Sequence, residues 1–266
     1  MSLIRFWRDF APRNGSPHVH PDDTDLFLKK GRGILDLPCA NFRQFVRSER
    51  FGNFSDNQFH LSLLPVPYAG DLRRADIFIL LLNPGFNFVD YYAEYESRRF
   101  RSRLLQNLRQ KNHEAKFPFL YLDPSFCWHS GFAWWEGKFR EVGKLLAEQR
   151  YEGSYLAALK ELSRRVAAIE LVPYHSTSFA AHKLVEQGLP SSVAAQSFVK
   201  SSLFPRAAAG EVTIIATRRT RDWGLAAMRK RRGVVCYRGG LTRGASLGPK
   251  TLGGRAILKQ LGLKEP

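Results

Sequence analysis

Cysteine is scarce in this chain of 266 residues, which contains three: Cys39, Cys127 and Cys236. They lie far apart with no paired spacing, which argues against a disulfide framework and against a cysteine-based zinc or iron–sulfur site. Long apolar runs are missing too, since no stretch reaches 18 residues and the N-terminus has no segment typical of a signal peptide. We therefore expect a soluble, cytoplasmic protein without membrane association.

Several nucleotide-binding and catalytic motifs are absent as well. The sequence has no GxxxxGK[ST] phosphate loop and no GxGxxG between a strand and a helix. No pair of acidic residues is clustered at the ends of the predicted strands, where a nuclease would hold Mg²⁺. These absences argue against nucleoside triphosphate hydrolysis, hydride transfer and metal-dependent nuclease chemistry, and we expect neither a metal nor another cofactor.

Acidic residues are few relative to basic ones. The chain has 24 Asp and Glu residues against 41 Lys and Arg residues, which gives a net charge of +17. Fourteen of the basic and three of the acidic residues lie between residue 201 and the end, so the excess is concentrated there. Such an excess favours a polyanionic partner, and we predict DNA. A solvated basic surface is the alternative, and no protein partner can be inferred.

Four apolar runs predict buried strands, at residues 77–82, 166–172, 211–217 and 233–237. Predicted helices separate them, and Leu252 to Leu261 predicts a final helix. This alternation is typical of an α/β fold, here a three-layer sandwich around a central, mainly parallel four-stranded sheet. We assign residues 75–266 to this domain and residues 1–74 to an N-terminal lead-in with accessory elements packed on it.

The first two predicted strands end in polar turns. Asn83-Pro84-Gly85 follows the first strand, and because glycine lets the main chain turn tightly, the Asn83 amide is held where open α/β sheets bind substrates. Pro173-Tyr174-His175-Ser176 follows the second strand and offers a phenol, an imidazole and a hydroxyl. We expect both turns to meet at one sheet edge, although each alone is compatible with an ordinary turn and a buried histidine.

The last two predicted strands end in basic loops. The residues there that we predict to contact DNA phosphates are Arg218, Arg219, Arg221, Arg243, Ser246, Lys250 and Thr251. Surface charge without a specific role is the alternative interpretation for the arginines.

Together these side chains suit a reaction with an oxocarbenium-like transition state. Such a reaction depends on hydrogen bonds to the leaving group more than on a strong nucleophile. Hydrolysis of a nucleoside's N-glycosidic bond is such a reaction. We predict that Asn83 orients a water molecule and that His175 is the second catalytic residue. The predicted substrate-binding residues, with aromatic rings for an extruded base, are Pro84, Gly85, Phe86, Tyr92, Tyr174 and Ser176.

Asn83-Pro84-Gly85 after a buried strand, with a loop containing Ser, Gly and Pro before the last helix, resembles the uracil-DNA glycosylase superfamily. The nearest branch is the mismatch-specific one, whose water-positioning motif is Gly-Ile-Asn-Pro-Gly. The resemblance covers roughly residues 75 to 262 and implies a uracil-DNA glycosylase-like fold. It also implies water positioning by Asn83, base reading near His175 and minor-groove contact by the 242–251 loop.

The sequence departs from that family at three places. Leu82 replaces the small residue expected before the asparagine, Pro173-Tyr174-His175 replaces the asparagine that reads uracil, and the last loop has no His-Pro-Ser. We therefore expect a monofunctional DNA glycosylase that flips a damaged or modified base and leaves an abasic site, without assigning uracil as its substrate. Such an enzyme would serve DNA repair or defence against phage with modified DNA. A non-catalytic nucleic-acid-binding protein on the same fold and a hydrolase of small nucleosides are the alternatives.

Overall fold

The computed structural model describes residues 3–13, 15–29, 39–53, 58–179, 181–225, 231–237 and 246–266. The strands are β1 (Tyr68–Ala69), β2 (Ile77–Leu81), β3 (Val166–Glu170), β4 (Thr213–Ala216) and β5 (Val234–Cys236). The helices are α1 (Leu3–Arg8), α2 (Pro21–Leu28), α3 (Phe42–Val46), α4 (Phe88–Tyr95), α5 (Arg98–Leu108), α6 (Ser130–Arg150), α7 (Tyr155–Arg165), α8 (His182–Glu186), α9 (Pro190–Phe198), α10 (Phe204–Ala209) and α11 (Leu252–Leu261). Within these segments, no helix combines the length and the apolar character needed to cross a membrane.

The strands form one mixed sheet in the order β1-β3-β2-β4-β5. β2 pairs in parallel with β3 and with β4, β4 pairs in parallel with β5, and β1 runs antiparallel to β3. The prediction of an α/β fold is confirmed, but the prediction of a mainly parallel four-stranded sheet is wrong, because β1 adds a fifth, antiparallel strand. Two residues between Pro67 and Gly70 are too few to show a strand period, so the sequence pattern does not reveal β1.

Helices cover both faces of the sheet. Phe78 and Leu80 of β2 share a buried cluster with residues of α1, α9 and α10. Ile77 and Ile79 share another with residues of α6, α7 and α11. Because successive side chains of a strand point to opposite faces, the unbroken apolar run of β2 requires this covering on both sides.

Two side-chain amides close the outer edge of β1. Asn107 donates from Nδ2 to the Tyr68 carbonyl (2.7 Å) and accepts at Oδ1 from the Gly70 amide (3.0 Å). Gln110 repeats the pattern, because Nε2 donates to the Gly70 carbonyl (2.9 Å) and Oε1 accepts from the Leu72 amide (2.8 Å). These two residues make the hydrogen bonds that a further strand would make.

The N-terminal segment is tied to the rest of the chain by buried contacts. Asp23 of α2 accepts hydrogen bonds from the Ser191 amide (2.9 Å) and from the Tyr174 hydroxyl (2.5 Å). Trp7 of α1 is fully buried in the cluster that includes α9. Residues before 75 therefore supply α1, α2 and the edge strand β1, while the domain boundary at residue 75 stays a prediction.

β2 lies where the order of the sheet reverses. The chain passes from β2 to β3 on one side and later returns to β4 on the other side. At such a point the loops after neighbouring strands diverge and open a crevice at the carboxyl ends of the strands. Asn83 comes two residues after the end of β2 and lies at this crevice.

Candidate functional site

A cavity of about 570 Å³ opens at the carboxyl edge of the sheet. Its walls come from the segments that follow β2, β3 and β4 and from the first turns of α6. The predicted site residues that line it are Asn83, Pro84, Gly85, Phe86, His175, Ser176 and Arg218. This volume lies within the range of small-molecule sites, about 300 to 1,000 Å³.

The Asn83 side chain is held by its amide nitrogen. Nδ2 lies 2.9 Å from Ser176 Oγ, 3.0 Å from the Pro84 carbonyl and 3.4 Å from the Tyr174 carbonyl. No described residue donates a hydrogen bond to Oδ1. Because Asn83 is half-buried and lines the cavity, this oxygen is an acceptor that a water or a ligand can use.

His175 is bonded to the turn that carries Asn83. Nδ1 lies 2.8 Å from the Gly85 carbonyl, and because a carbonyl only accepts, Nδ1 carries the hydrogen. The ring is buried, and this burial lowers its pKa despite the opposing effect of Asp90. His175 is therefore neutral near pH 7, and its Nε2 is a buried acceptor with no partner among the described residues.

A second imidazole, that of His129, lines the cavity opposite a carboxylate. The Gly131 amide donates to His129 Nδ1 (2.9 Å), which places the hydrogen on Nε2, 3.1 Å from Asp90 Oδ1. Asp90 also accepts from the Asn87 amide (2.7 Å) in the capping box of α4. Both side chains thus serve as helix caps, a role that the capping pattern Asn87-x-x-Asp90 could have indicated. Across the described segments, no three His, Cys, Asp or Glu side chains are grouped so as to hold a metal ion.

Two cations lie at the cavity, one predicted and one not. Lys138 of α6 and Arg218 after β4 both line it. The pKa of Lys138 is lowered by burial and further by the nearby Arg218 charge. Lys138 Nζ also lies 5.3 Å from the centre of the exposed Trp134 ring, one helical turn away. The spacing Trp134-x-x-x-Lys138 is the sequence signal for this pair, since residues four apart share a helix face.

Glu170, the last residue of β3, also lines the cavity. Its side chain is buried and Oε2 has no hydrogen-bond partner among the described residues. Glu170 is not among the predicted site residues, because residues 166–172 are otherwise apolar and predict a buried strand. A single carboxylate within such a run is the signal that could have identified it.

Two predicted substrate-binding tyrosines lie outside the cavity lining. Tyr174 is fully buried, and its hydroxyl donates to Asp23 rather than facing a ligand. Its main-chain carbonyl is nevertheless one of the acceptors for Asn83. Tyr92 is half exposed on α4 and makes an edge contact with Trp128 at 5.9 Å between ring centres.

The three arginines predicted after β4 are placed differently. Arg218 lines the cavity, whereas Arg219 and Arg221 do not. Arg219 pairs with Asp222 and has a φ of 46°, a left-handed conformation that is uncommon for residues other than glycine. Arg221 is exposed. This loop therefore brings one of its three predicted cations to the cavity.

The turn before α11 reaches the cavity through an apolar residue. Leu247 lines the cavity, whereas Ser246 and Lys250 are exposed. Thr251 caps α11 with its side chain, which accepts from the Gly254 amide at 3.1 Å. Arg243 lies outside the described residues.

Of the segments on which the expected resemblance to the uracil-DNA glycosylase superfamily rests, the described parts that line one cavity are Asn83-Pro84-Gly85, His175-Ser176 and Leu247. The resemblance rests on these segments alone. No protein-family model, curated protein or solved structure matches the chain.

Proposed function

We propose that this protein is a monofunctional DNA glycosylase with a uracil-DNA glycosylase-like fold, which hydrolyses the N-glycosidic bond of a flipped base. The observation that carries the proposal is the pair Asn83 and His175, two neutral acceptors held by hydrogen bonds at the carboxyl end of the central strand. A cavity large enough for a base opens beside them. The arrangement supports the chemistry for which enzymes extrude a base from the stack.

In the proposed reaction the bond between C1′ and the base nitrogen breaks, and its electron pair leaves with the base. The oxygen of a water then bonds to C1′, one water proton passes to solvent, and the base nitrogen gains a proton. Asn83 Oδ1 accepts a hydrogen bond from this water, and His175, whose Nδ1 bonds the Gly85 carbonyl of the same turn, is the second catalytic residue of the proposal. Because positive charge develops on the sugar, a neutral imidazole suits this position better than a protonated one.

DNA is the proposed substrate because of the charges around the cavity. Lys138 and Arg218 lie at the cavity, where a phosphate next to an extruded nucleotide would meet them. The net charge of +17 adds a long-range attraction for a polyanion. The exposed Trp134 ring beside Lys138 offers a surface on which a neighbouring base can stack.

The test is a set of duplex and single-stranded oligonucleotides that contain uracil, mismatches, or alkylated or phage-type modified bases. Each is incubated with the protein and then heated in alkali, which cleaves abasic sites. We expect strand cleavage on at least one substrate and a loss on the order of 100-fold in Asn83→Ala, the size of one hydrogen bond at the reacting centre.

Asn41→Ala is the matched control, because Asn41 caps α3 and does not line the cavity. It should retain the wild-type rate, and both variants should unfold cooperatively. If no substrate yields alkali-labile sites that depend on Asn83, the proposed enzymatic activity is refuted.

A non-catalytic nucleic-acid-binding protein is the second candidate. It is favoured by the described part of the turn before α11, residues 246–251, from which Leu247 rather than a hydrogen-bond donor lines the cavity. In this case binding to DNA would survive Asn83→Ala and would weaken steeply with salt, since phosphate contacts release counterions. Gel-shift titrations of both proteins at two salt concentrations, alongside the cleavage assay, separate the two candidates.

A further inference from the structure

The floor of the cavity is apolar around one carboxyl group. Side chains of Leu81, Ala69, Ala168 and Trp135 line it together with Glu170. Glu170 stands opposite Leu81 in the parallel pairing of β2 and β3, so its position is fixed by the sheet. A group placed on a central strand is held more rigidly than one on a loop.

The Glu170 carboxyl is buried without the partners that a structural role would provide. The residue is 8% exposed, and Oε2 has no hydrogen-bond partner among the described residues. Burial raises its pKa well above the usual range and so favours the protonated carboxyl. A neutral carboxyl offers a hydroxyl donor next to a carbonyl acceptor.

We infer that Glu170 is the recognition group of the cavity, and that it binds the edge of a nucleobase in which a hydrogen-bond donor lies beside an acceptor. This inference rests on the proposed function for the identity of the ligand. The donor and the acceptor of the carboxyl complement such an edge, whereas an ionised carboxylate would require two donors. The apolar side chains around the carboxyl make each of these hydrogen bonds count more.

The phenol of Tyr121 supports this assignment. Its side chain lines the cavity, and burial raises its pKa. The phenol therefore stays protonated and provides a second neutral polar group beside the apolar floor. Both groups discriminate by hydrogen bonding rather than by charge, which fits a base better than a phosphate.

The test measures binding of free bases rather than catalysis. Uracil, cytosine, adenine and hypoxanthine are titrated into the full chain by calorimetry, with indole as a flat ligand that lacks an acceptor beside its donor. Glu170→Gln keeps a donor and an acceptor and should bind the preferred base about as tightly as wild type. Glu170→Leu should weaken that binding about tenfold or more while leaving indole unaffected.

Glu148→Leu, on the exposed surface of α6, is the matched control and should bind like wild type. Thermal unfolding of each variant confirms that it is folded. The inference is overturned if Glu170→Leu binds the base as well as wild type, if Glu170→Gln loses as much as Glu170→Leu, or if none of the four bases binds. Base binding without alkali-labile sites would refute the glycosylase and leave this recognition role standing.

Discussion

Two buried glutamates in different regions of the molecule differ in their hydrogen bonding. Glu94 of α4 accepts from the Leu64 amide (3.0 and 3.2 Å) and lies 3.4 Å from Arg101. Glu170 in the cavity floor has an oxygen with no partner among the described residues. Burial raises the pKa of both carboxyls, that of Glu94 to about 8.

This difference in hydrogen bonding distinguishes a glutamate with a structural role, Glu94, from one for which we infer a role in binding, Glu170. Around Glu94, polar groups of the 60–64 segment are bonded within the protein, as in the Tyr95 hydroxyl, which donates to the Ser62 carbonyl (2.8 Å), although His60 Nδ1 has no partner among the described residues. In the cavity floor, the Glu170 carboxyl lacks such partners among the described residues, although an apolar side chain would fill the same space at a lower cost in free energy. Because Glu170 also lines the cavity, its oxygen without a partner among the described residues fits the recognition role inferred for it.

The largest expected effect tests whether two buried histidines, His60 of the 60–64 segment and His18, must stay uncharged for the protein to be stable. Burial lowers the pKa of His60 to about 2, with Arg50 and His175 adding to the effect, and lowers that of His18 to about 4, with Arg101 adding to it. Because both folded-state values lie below the unfolded value, their contribution to stability is complete above about pH 6.5 and is lost as the pH falls. Below that pH, each histidine should lower the free energy of unfolding by up to about 1.4 kcal/mol per pH unit.

Urea unfolding at about pH 7 and about pH 5 measures this loss. His60→Gln keeps a polar side chain that does not titrate, so its stability should depend less on pH than that of wild type. Equal slopes for the two proteins would show that His60 is not held neutral.

The next effect concerns Glu94 itself. Glu94→Leu should reduce the free energy of unfolding by about 3 kcal/mol, because it leaves the Leu64 amide buried without an acceptor and Arg101 without its carboxyl partner. Glu94→Gln keeps an acceptor oxygen and should lose less. Denaturant titration of both variants measures the difference, and an unchanged midpoint for Glu94→Leu would remove the contrast with Glu170.

The smallest effect has the opposite sign. Glu170→Leu should increase the free energy of unfolding by about 1 kcal/mol, because it replaces a buried carboxyl that lacks a partner with an apolar side chain of similar size. Glu170→Gln keeps an unpaired polar group and should not gain. A loss of stability in Glu170→Leu, measured in the same titration, would mean that the carboxyl has a structural role after all.

Much of the fold is predictable because its strands are buried on both faces. Each of β2 to β5 lies inside one of the four predicted apolar runs, and α11 has the predicted bounds, Leu252 to Leu261. β1 is not predictable, since a two-residue strand has no period. Its pairing depends on residues about a hundred positions away, as Tyr68 lies opposite Ile169.

The site is predictable in position but not in detail. That the turns after β2 and β3 meet follows from parallel pairing, and the structure joins Asn83 to Ser176 and His175 to Gly85. Which way a side chain points in such a turn depends on distant partners. Tyr174 bonds Asp23, a residue 151 positions earlier, and no local pattern contains that information.

The amides of Asn107 and Gln110 along β1 have a consequence for how the protein behaves at high concentration. A free strand edge is a template on which another chain can add a strand, and this is a common route to aggregation. Here the Tyr68 carbonyl and the amide and carbonyl of Gly70 are already engaged by side chains of the same molecule. Asn107 and Gln110 therefore protect this edge of the sheet against strand pairing with another molecule.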